Sequence, residues 1–229
     1  MSRNARGGAG CLNVERRMMP SERRVVWLTI FAVAMAYVES AVVVYLRAIY
    51  YPHGFSFPLV PTSAGMLAIE MGREIATLIM LLGVAVLAGK DRSDRLLVFC
   101  VTFGIWDIFY YVWLLVFLRW PPSLLTWDIL FLIPVPWIGP VLAPVVVSVV
   151  LVIGGVLLMS KRERGEPIAF SAPLVMMCLT GAALVLASFM LDFQTVLRQQ
   201  EPPPFRWGLF GAGVALVVVA LVGAVRRRG

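Results

Sequence analysis

Charge is what this sequence has least of. Asp, Glu, Lys and Arg make up 14% of its 229 residues, against about 25% in ordinary soluble domains. So little charge cannot coat a soluble globule, and it excludes a disordered chain or a coiled coil. Histidine occurs once, at His53, so no histidine pair exists to hold haem. The three cysteines, Cys11, Cys100 and Cys178, stand far apart and form neither a Cys-x-x-Cys pair nor a disulfide framework. Cys100 and Cys178, which fall inside apolar runs, read as packing residues. There is no Gly-x-Ser-x-Gly elbow, His-Glu-x-x-His pair or aspartate-rich motif, which places a membrane-embedded enzyme last among the functional readings.

What is present is apolar. Hydrophobic residues reach 60% and the mean hydropathy is +0.88, the signature of a polytopic membrane protein. The fold expected is an all-α bundle of six transmembrane helices. Six runs are long enough to cross a bilayer, near 25–48, 64–89, 95–118, 138–159, 172–192 and 206–225. Residues 1–24 read as a disordered basic tail, 25–225 as the transmembrane domain and 226–229 as a basic C-terminus.

The net charge of +7 is distributed unevenly. Fifteen of the 20 basic residues fall in the N-terminal segment, the loops after the second and fourth runs, and the C-terminus. By the positive-inside rule that side is cytoplasmic, with both termini on it. Basic residues that punctuate apolar runs point to a lipid bilayer as the partner rather than nucleic acid. One competing reading treats the Arg-rich start, Val25–Val33 and Ala34-Met35-Ala36 as a cleaved signal peptide. The apolar stretch continues through Ala41–Leu46, which favours an uncleaved first span.

Five ionisable residues lie inside the runs: Glu39, Glu70, Arg73, Glu74 and Asp107. Arg47 and Asp128 stand at the outer edges. At about 1.5 Å per residue the four acids fall roughly 9–16 Å below the outer surface, in one layer. Glu70, Arg73 and Glu74 share a helix face, which Thr77 extends. Asp107 shares a face with Tyr110 and Tyr111. Intramembrane charges are costly and mark functional sites by default. Four acids against one base leave a deficit, which protonation or a bound cation relieves. Glu39, Glu70, Glu74 and Asp107 are therefore the candidate ligands or proton sites. Arg73 would tune their charge, Arg47 and Asp128 would support them, and Tyr110 or Tyr111 would hydrogen-bond. An all-oxygen site suits a hard divalent cation such as Mg²⁺, Ca²⁺ or Mn²⁺. The competing account makes these residues structural: Arg73 neutralises Glu70 and Glu74, and the chain is an accessory subunit with a membrane-protein partner or a second copy of itself.

From Trp127 to Met159 the apolar run is 33 residues long and holds Pro134, Pro136, Pro140 and Pro144. Proline breaks a helix, so Trp127–Ile133 reads as a short interfacial or re-entrant piece, with a helix beginning near Ile138. Asp128 would then start a helix or sit at the interface. The stretches Phe103–Trp113 (FGIWDIFYYVW) and Thr126–Pro144 (TWDILFLIPVPWIGPVLAP) resemble those of small uncharacterised bacterial multi-pass membrane proteins. The resemblance implies a bacterial inner-membrane setting and brings no assigned activity.

Overall fold

The computed structural model describes residues 21–166, 168 and 171–226. Most of residues 1–24, with Cys11, and the C-terminal residues 227–229 lie outside the described residues. The elements in chain order are α1 (Ser21–Tyr50), α2 (Ala64–Ala88), α3 (Arg92–Leu118), β1 (Trp127–Phe131), β2 (Trp137–Pro140), α4 (Leu142–Glu163), α5 (Ala172–Met190), α6 (Phe193–Leu197) and α7 (Trp207–Arg226). Six of the helices are long and apolar enough to cross a membrane. This is a multi-pass membrane protein. Helix α1 begins four residues before the expected end of the basic tail, so Ser21–Arg24 are helical.

Local chemistry sets the helix ends. The Ser63 hydroxyl accepts the Met66 N–H at 3.2 Å and caps α2. The Asp91 carboxylate accepts the Asp94 N–H at 3.0 Å and caps α3. That bond is the largest influence holding the exposed Asp91 carboxyl below its ordinary range. Arg119 takes a left-handed φ of 54° and ends α3, and Pro121 and Pro122 follow, unable to continue the helix.

Three interfaces carry the bundle: α1 along α3, α3 along α4, and α5 along α7. Helix α2 leans on α3 and has no extended interface with α1, and α4 joins the two groups by touching α7. Small residues set the closest approaches. A Cβ on Gly181 would stand 2.6 Å from the Gly213 carbonyl oxygen, and one on Gly104 would stand 2.7 Å from that of Ser148. Apolar tails solvate the outside as well as an apolar interior would, so helix association relies on such backbone approach. Large apolar side chains such as Ile69, Ile79, Leu87, Leu157 and Leu179 are exposed around the bundle, as a lipid-facing surface requires.

The two ends of the bundle differ. At the terminal end, Arg24 of α1 pairs with Asp94 of α3 at 2.8 Å, and both are buried. Asp91 pairs with Arg162 there, and the Lys161 ammonium donates to the Ala224 and Val225 carbonyls at 3.2 and 3.0 Å. Just inside lies an apolar core that includes Leu28, Ala32, Leu81, Ala85, Val98, Val101, Trp106 and Leu158.

The opposite end holds a β-hairpin, which corrects the all-α expectation. β1 and β2 pair antiparallel, with Trp127 opposite Pro140, Asp128 opposite Gly139, Ile129 opposite Ile138 and Phe131 opposite Trp137. The register slips between Ile129 and Phe131. The ladder continues as the Val141 and Leu142 N–H groups donate to the Thr126 and Leu124 carbonyls. The expected re-entrant or interfacial piece is thus an extended hairpin, and α4 starts at Leu142 rather than near Ile138. The reason is physical. Pro134, Pro136 and Pro140 have no N–H for a helix, while aromatic and β-branched residues suit a pleated ladder. Cross-strand bonds then satisfy backbone that would otherwise be stranded in an apolar setting. β2 packs against α4 and α5, so the hairpin forms a plug in the end of the bundle.

Candidate functional site

The charged residues expected inside the spans gather beneath this plug. Arg73 on α2 is the hub. Its guanidinium pairs with Glu39 of α1 and donates to Glu70, one turn back, at 2.9–3.0 Å. Thr77, one turn beyond Arg73, donates its hydroxyl to Glu39 at 2.7 Å. Arg73 therefore bridges α1 and α2 where the two helices lack an extended interface.

Glu74 is not part of that pairing, which corrects the expectation that Arg73 neutralises it. Adjacent residues on a helix point about 100° apart, so Arg73 and Glu74 do not face one another. Glu74 turns toward the hairpin and accepts the Leu132 backbone N–H at 2.9 and 3.1 Å. Asp107 on α3 accepts the Ser148 hydroxyl of α4 at 2.8 Å. Among the described residues, neither Glu74 nor Asp107 has a salt-bridge partner.

Asp128 does not start a helix but stands in β1. It is 2% exposed, projects from β1, and accepts from Arg47 Nη2 and from the Tyr111 hydroxyl, each at 3.3 Å. Tyr111 thus serves Asp128 rather than Asp107. The Arg47 guanidinium also lies over the Trp120 ring at 3.7 Å and the Phe55 ring at 4.5 Å. Desolvated cation–π contacts of this kind contribute about 2 kcal/mol. Among the described residues Arg47 Nη1 has no hydrogen-bond partner and is fully enclosed. Tyr110 makes its hydrogen bond through its backbone, where its carbonyl accepts from Ser40 of α1 at 3.0 Å.

Two cavities meet at this layer. An inner chamber of about 50 Å³ is lined by Glu39, Arg73, Glu74, Thr77, Trp106, Asp107, Tyr110, Tyr111 and hairpin residues 129–131. At roughly 10–15 Å³ of such space per water it would hold a few waters. Trp106 Nε1 is buried and unpartnered. A larger vestibule of about 450 Å³ lies between α1, the 51–62 loop, α2, the hairpin and α6. Arg73, Glu74, Tyr110 and Ile129 line both cavities and form the wall between them.

The structure thus places every singled-out residue in one neighbourhood. Glu39, Glu70 and Arg73 form one ionic group, Arg47 and Asp128 a second, and Glu74 and Asp107 stand apart from both. The sequence does not assign Ser148, Trp106, Trp120, Phe55 or the Leu132 N–H to the site. Ser148 had a signal, as an isolated hydroxyl in a run of valines. The Leu132 N–H had none, because it depends on the hairpin. Among the described residues, no group of three or more His, Cys, Asp or Glu is gathered closely enough to hold a metal ion.

Comparison with protein-family models, with curated proteins and with solved structures finds no match for this chain. The resemblance of its middle third to bacterial membrane proteins therefore has no family behind it. The class is defined by the fold alone: a multi-pass helical membrane protein with buried, largely paired charges under a β-hairpin plug.

Proposed function

We propose that this protein binds protons in a carboxylate site open to the outer face of a bacterial inner membrane. The orientation follows from the basic residues at the terminal end, which by the positive-inside rule puts both termini in the cytoplasm and the hairpin outside. The observation that carries the proposal is the pairing pattern. The cluster beneath the hairpin comprises five acids, Glu39, Glu70, Glu74, Asp107 and Asp128, and two bases, Arg47 and Arg73. The bases engage Glu39, Glu70 and Asp128, and among the described residues the direct hydrogen bonds to Glu74 and Asp107 come from neutral donors. A buried carboxylate without a counter-charge exchanges its charge for a proton more readily than one in an ion pair. Glu74 lines both cavities, so protons from the vestibule meet it before they meet Asp107 in the chamber.

The test is infrared titration of the protonated-carboxyl stretch in the purified chain. A titrating band that disappears in Glu74→Gln, with helical content unchanged, supports the reading. A titration identical to wild type in that variant overturns it.

A second reading has its own observation in its favour. Three of the five acids are held in ion pairs, of which Arg73–Glu39 ties α1 to α2 and Arg47–Asp128 ties α1 to the hairpin, as expected of an accessory or assembly subunit whose charges fix helix register. That reading expects a partner protein to remain bound through gentle purification, and no titrating band.

A further inference from the structure

The vestibule has features that proton binding does not use. Its walls are apolar, with Val43 and Leu46 from α1, Met66 from α2 and Leu132 after β1. Three more apolar residues of its lining, Val60, Leu67 and Leu197, are 41–64% exposed, so the lining is apolar out to the surface of the protein. The charged part of the lining is unbalanced. Arg47 and Asp128 are closed on each other, with side chains 9% and 3% exposed, and offer the cavity nothing. That leaves Glu70, Arg73 and Glu74 of α2, two acids against one base, and Arg73 is shared with Glu39 as well. Both Arg73 contacts to Glu70 fall on Oε2. Among the described residues, Glu74 receives only the Leu132 N–H, shared between its two oxygens. A carboxylate offers about four acceptor sites, so both acids keep acceptor capacity. An apolar cavity thus carries surplus negative charge and surplus acceptors at one place on its wall.

We infer that the vestibule binds an amphiphilic amine in its protonated form, an apolar chain ending in one primary ammonium with no anionic group beside it. The ammonium donates to Glu74 and Glu70, which stand one turn apart on the same face of α2, and the chain lies along the apolar walls. Such a ligand brings the two things the lining lacks, N–H donors and one positive charge. An ammonium has three donors and a quaternary head has none, so the site prefers the primary amine. An alcohol brings a donor without the charge, and a carboxylate brings charge of the wrong sign. The cavity, at about 450 Å³, is within the range of ordinary ligand sites. The bound ammonium takes the place of the proton on Glu74, so amine and proton exclude one another there. This inference rests on the reading of Glu74 as a carboxylate without a counter-charge.

The test is equilibrium dialysis of the full chain, in neutral detergent near neutral pH, against hexylamine, hexyltrimethylammonium, hexanol and hexanoate, with uptake by empty micelles subtracted. Hexylamine should bind about tenfold more tightly than each of the others, the factor one charge-assisted hydrogen bond supplies. Hexylamine that binds no more tightly than any one of them, or binding of none, overturns the inference. Glu74→Gln should lower hexylamine binding to that of hexanol, and unchanged binding overturns the site. Should Glu74→Gln fail to fold, Met66→Trp narrows the vestibule with its carboxylates intact and should weaken binding at least tenfold; unchanged binding in Met66→Trp overturns the site. In the infrared titration, hexylamine should remove the protonated band of Glu74, and a band that persists with hexylamine bound places the amine elsewhere. Amine binding and carboxyl titration are separate readouts. Selective binding by a chain that shows no titrating band discards only the proton reading, and a titrating band without amine binding discards only the amine.

Discussion

Arg47 and Asp128 meet at 3.3 Å across 81 positions of sequence, both more than nine-tenths buried. The contact joins the end of α1 to the first strand of the hairpin, and Tyr111 and the Trp120 and Phe55 rings complete its surroundings. Among the described residues, no other ion pair joins the hairpin to α1.

That pair should be far more costly to halve than to remove. Arg47→Met alone leaves Asp128 buried without its base, and Asp128→Asn alone leaves Arg47 without its acid. Each should lower stability by about 3–5 kcal/mol. The double replacement Arg47→Met with Asp128→Leu should lose much less than the sum. Chemical denaturation of the single and double variants in detergent reads the coupling. Additive losses would mean the two residues act independently.

Gly104 sets the distance between α3 and α4. Its missing Cβ would stand 2.7 Å from the Ser148 carbonyl oxygen and 2.8 Å from Val152 Cγ2. Gly104→Ala must push α4 away and should cost about 1–3 kcal/mol. Asp107 and Ser148 bridge the same interface, so the change should also loosen the chamber. Thermal unfolding checks the first effect. Faster hydrogen exchange in the middle of α4 than in α5 checks the second.

Ser148→Ala removes the hydroxyl that Asp107 accepts. A buried acceptor left without its donor costs about 1–3 kcal/mol. Asp107→Asn keeps an oxygen for Ser148 and should leave the fold near wild type. Comparing the two by thermal melting isolates the hydrogen bond from the charge, and equal destabilisation would refute the assignment.

At the terminal end, Asp91 should give a pH signature. Its folded-state carboxyl lies below the ordinary value of 3.8, chiefly because it accepts the Asp94 N–H. A depressed folded value stabilises the protein above the unfolded value, and the benefit is lost as pH falls through the folded one. Asp91→Asn keeps a capping oxygen and gives up that charge-dependent part. Wild type should therefore melt higher than the variant near neutral pH, with the gap closing below about pH 4. A gap that stays constant down to strong acid would contradict the capping account.

Much of this was legible in the sequence. The six runs of apolar residues are long, and their ends agree with the helices to within about four residues, because hydropathy and capping residues act locally. The carboxylate layer was legible for a related reason. The rise per residue converts position into depth, and only one depth was shared by Glu39, Glu70, Glu74 and Asp107. The pairing within the layer was not legible. Which acid Arg73 takes depends on how α1 turns toward α2, a rotation that no local pattern encodes. The hairpin was missed because a continuous apolar run of 33 residues carries the same hydropathy signal whether its backbone is helical or extended. Only the prolines pointed away from a helix, and they do not specify what replaces it. Once the hairpin is misread, the partners of Glu74 and Asp128 cannot be found, since both are set by where Leu132 and β1 come to lie.

The apolar core described at the terminal end has a consequence for traffic. One turn beyond Thr77 on α2 comes Leu81 and then Ala85, both completely buried, and they belong to the same core as Trp106 on the chamber wall. The chamber is thus a cul-de-sac in this conformation. Asp107 lies in the chamber, and Glu74 lies on the wall it shares with the vestibule. If the site binds protons as proposed, the protein in this conformation reads one compartment, and a conduit would require α2 to roll away from α3, the longer helix it leans on.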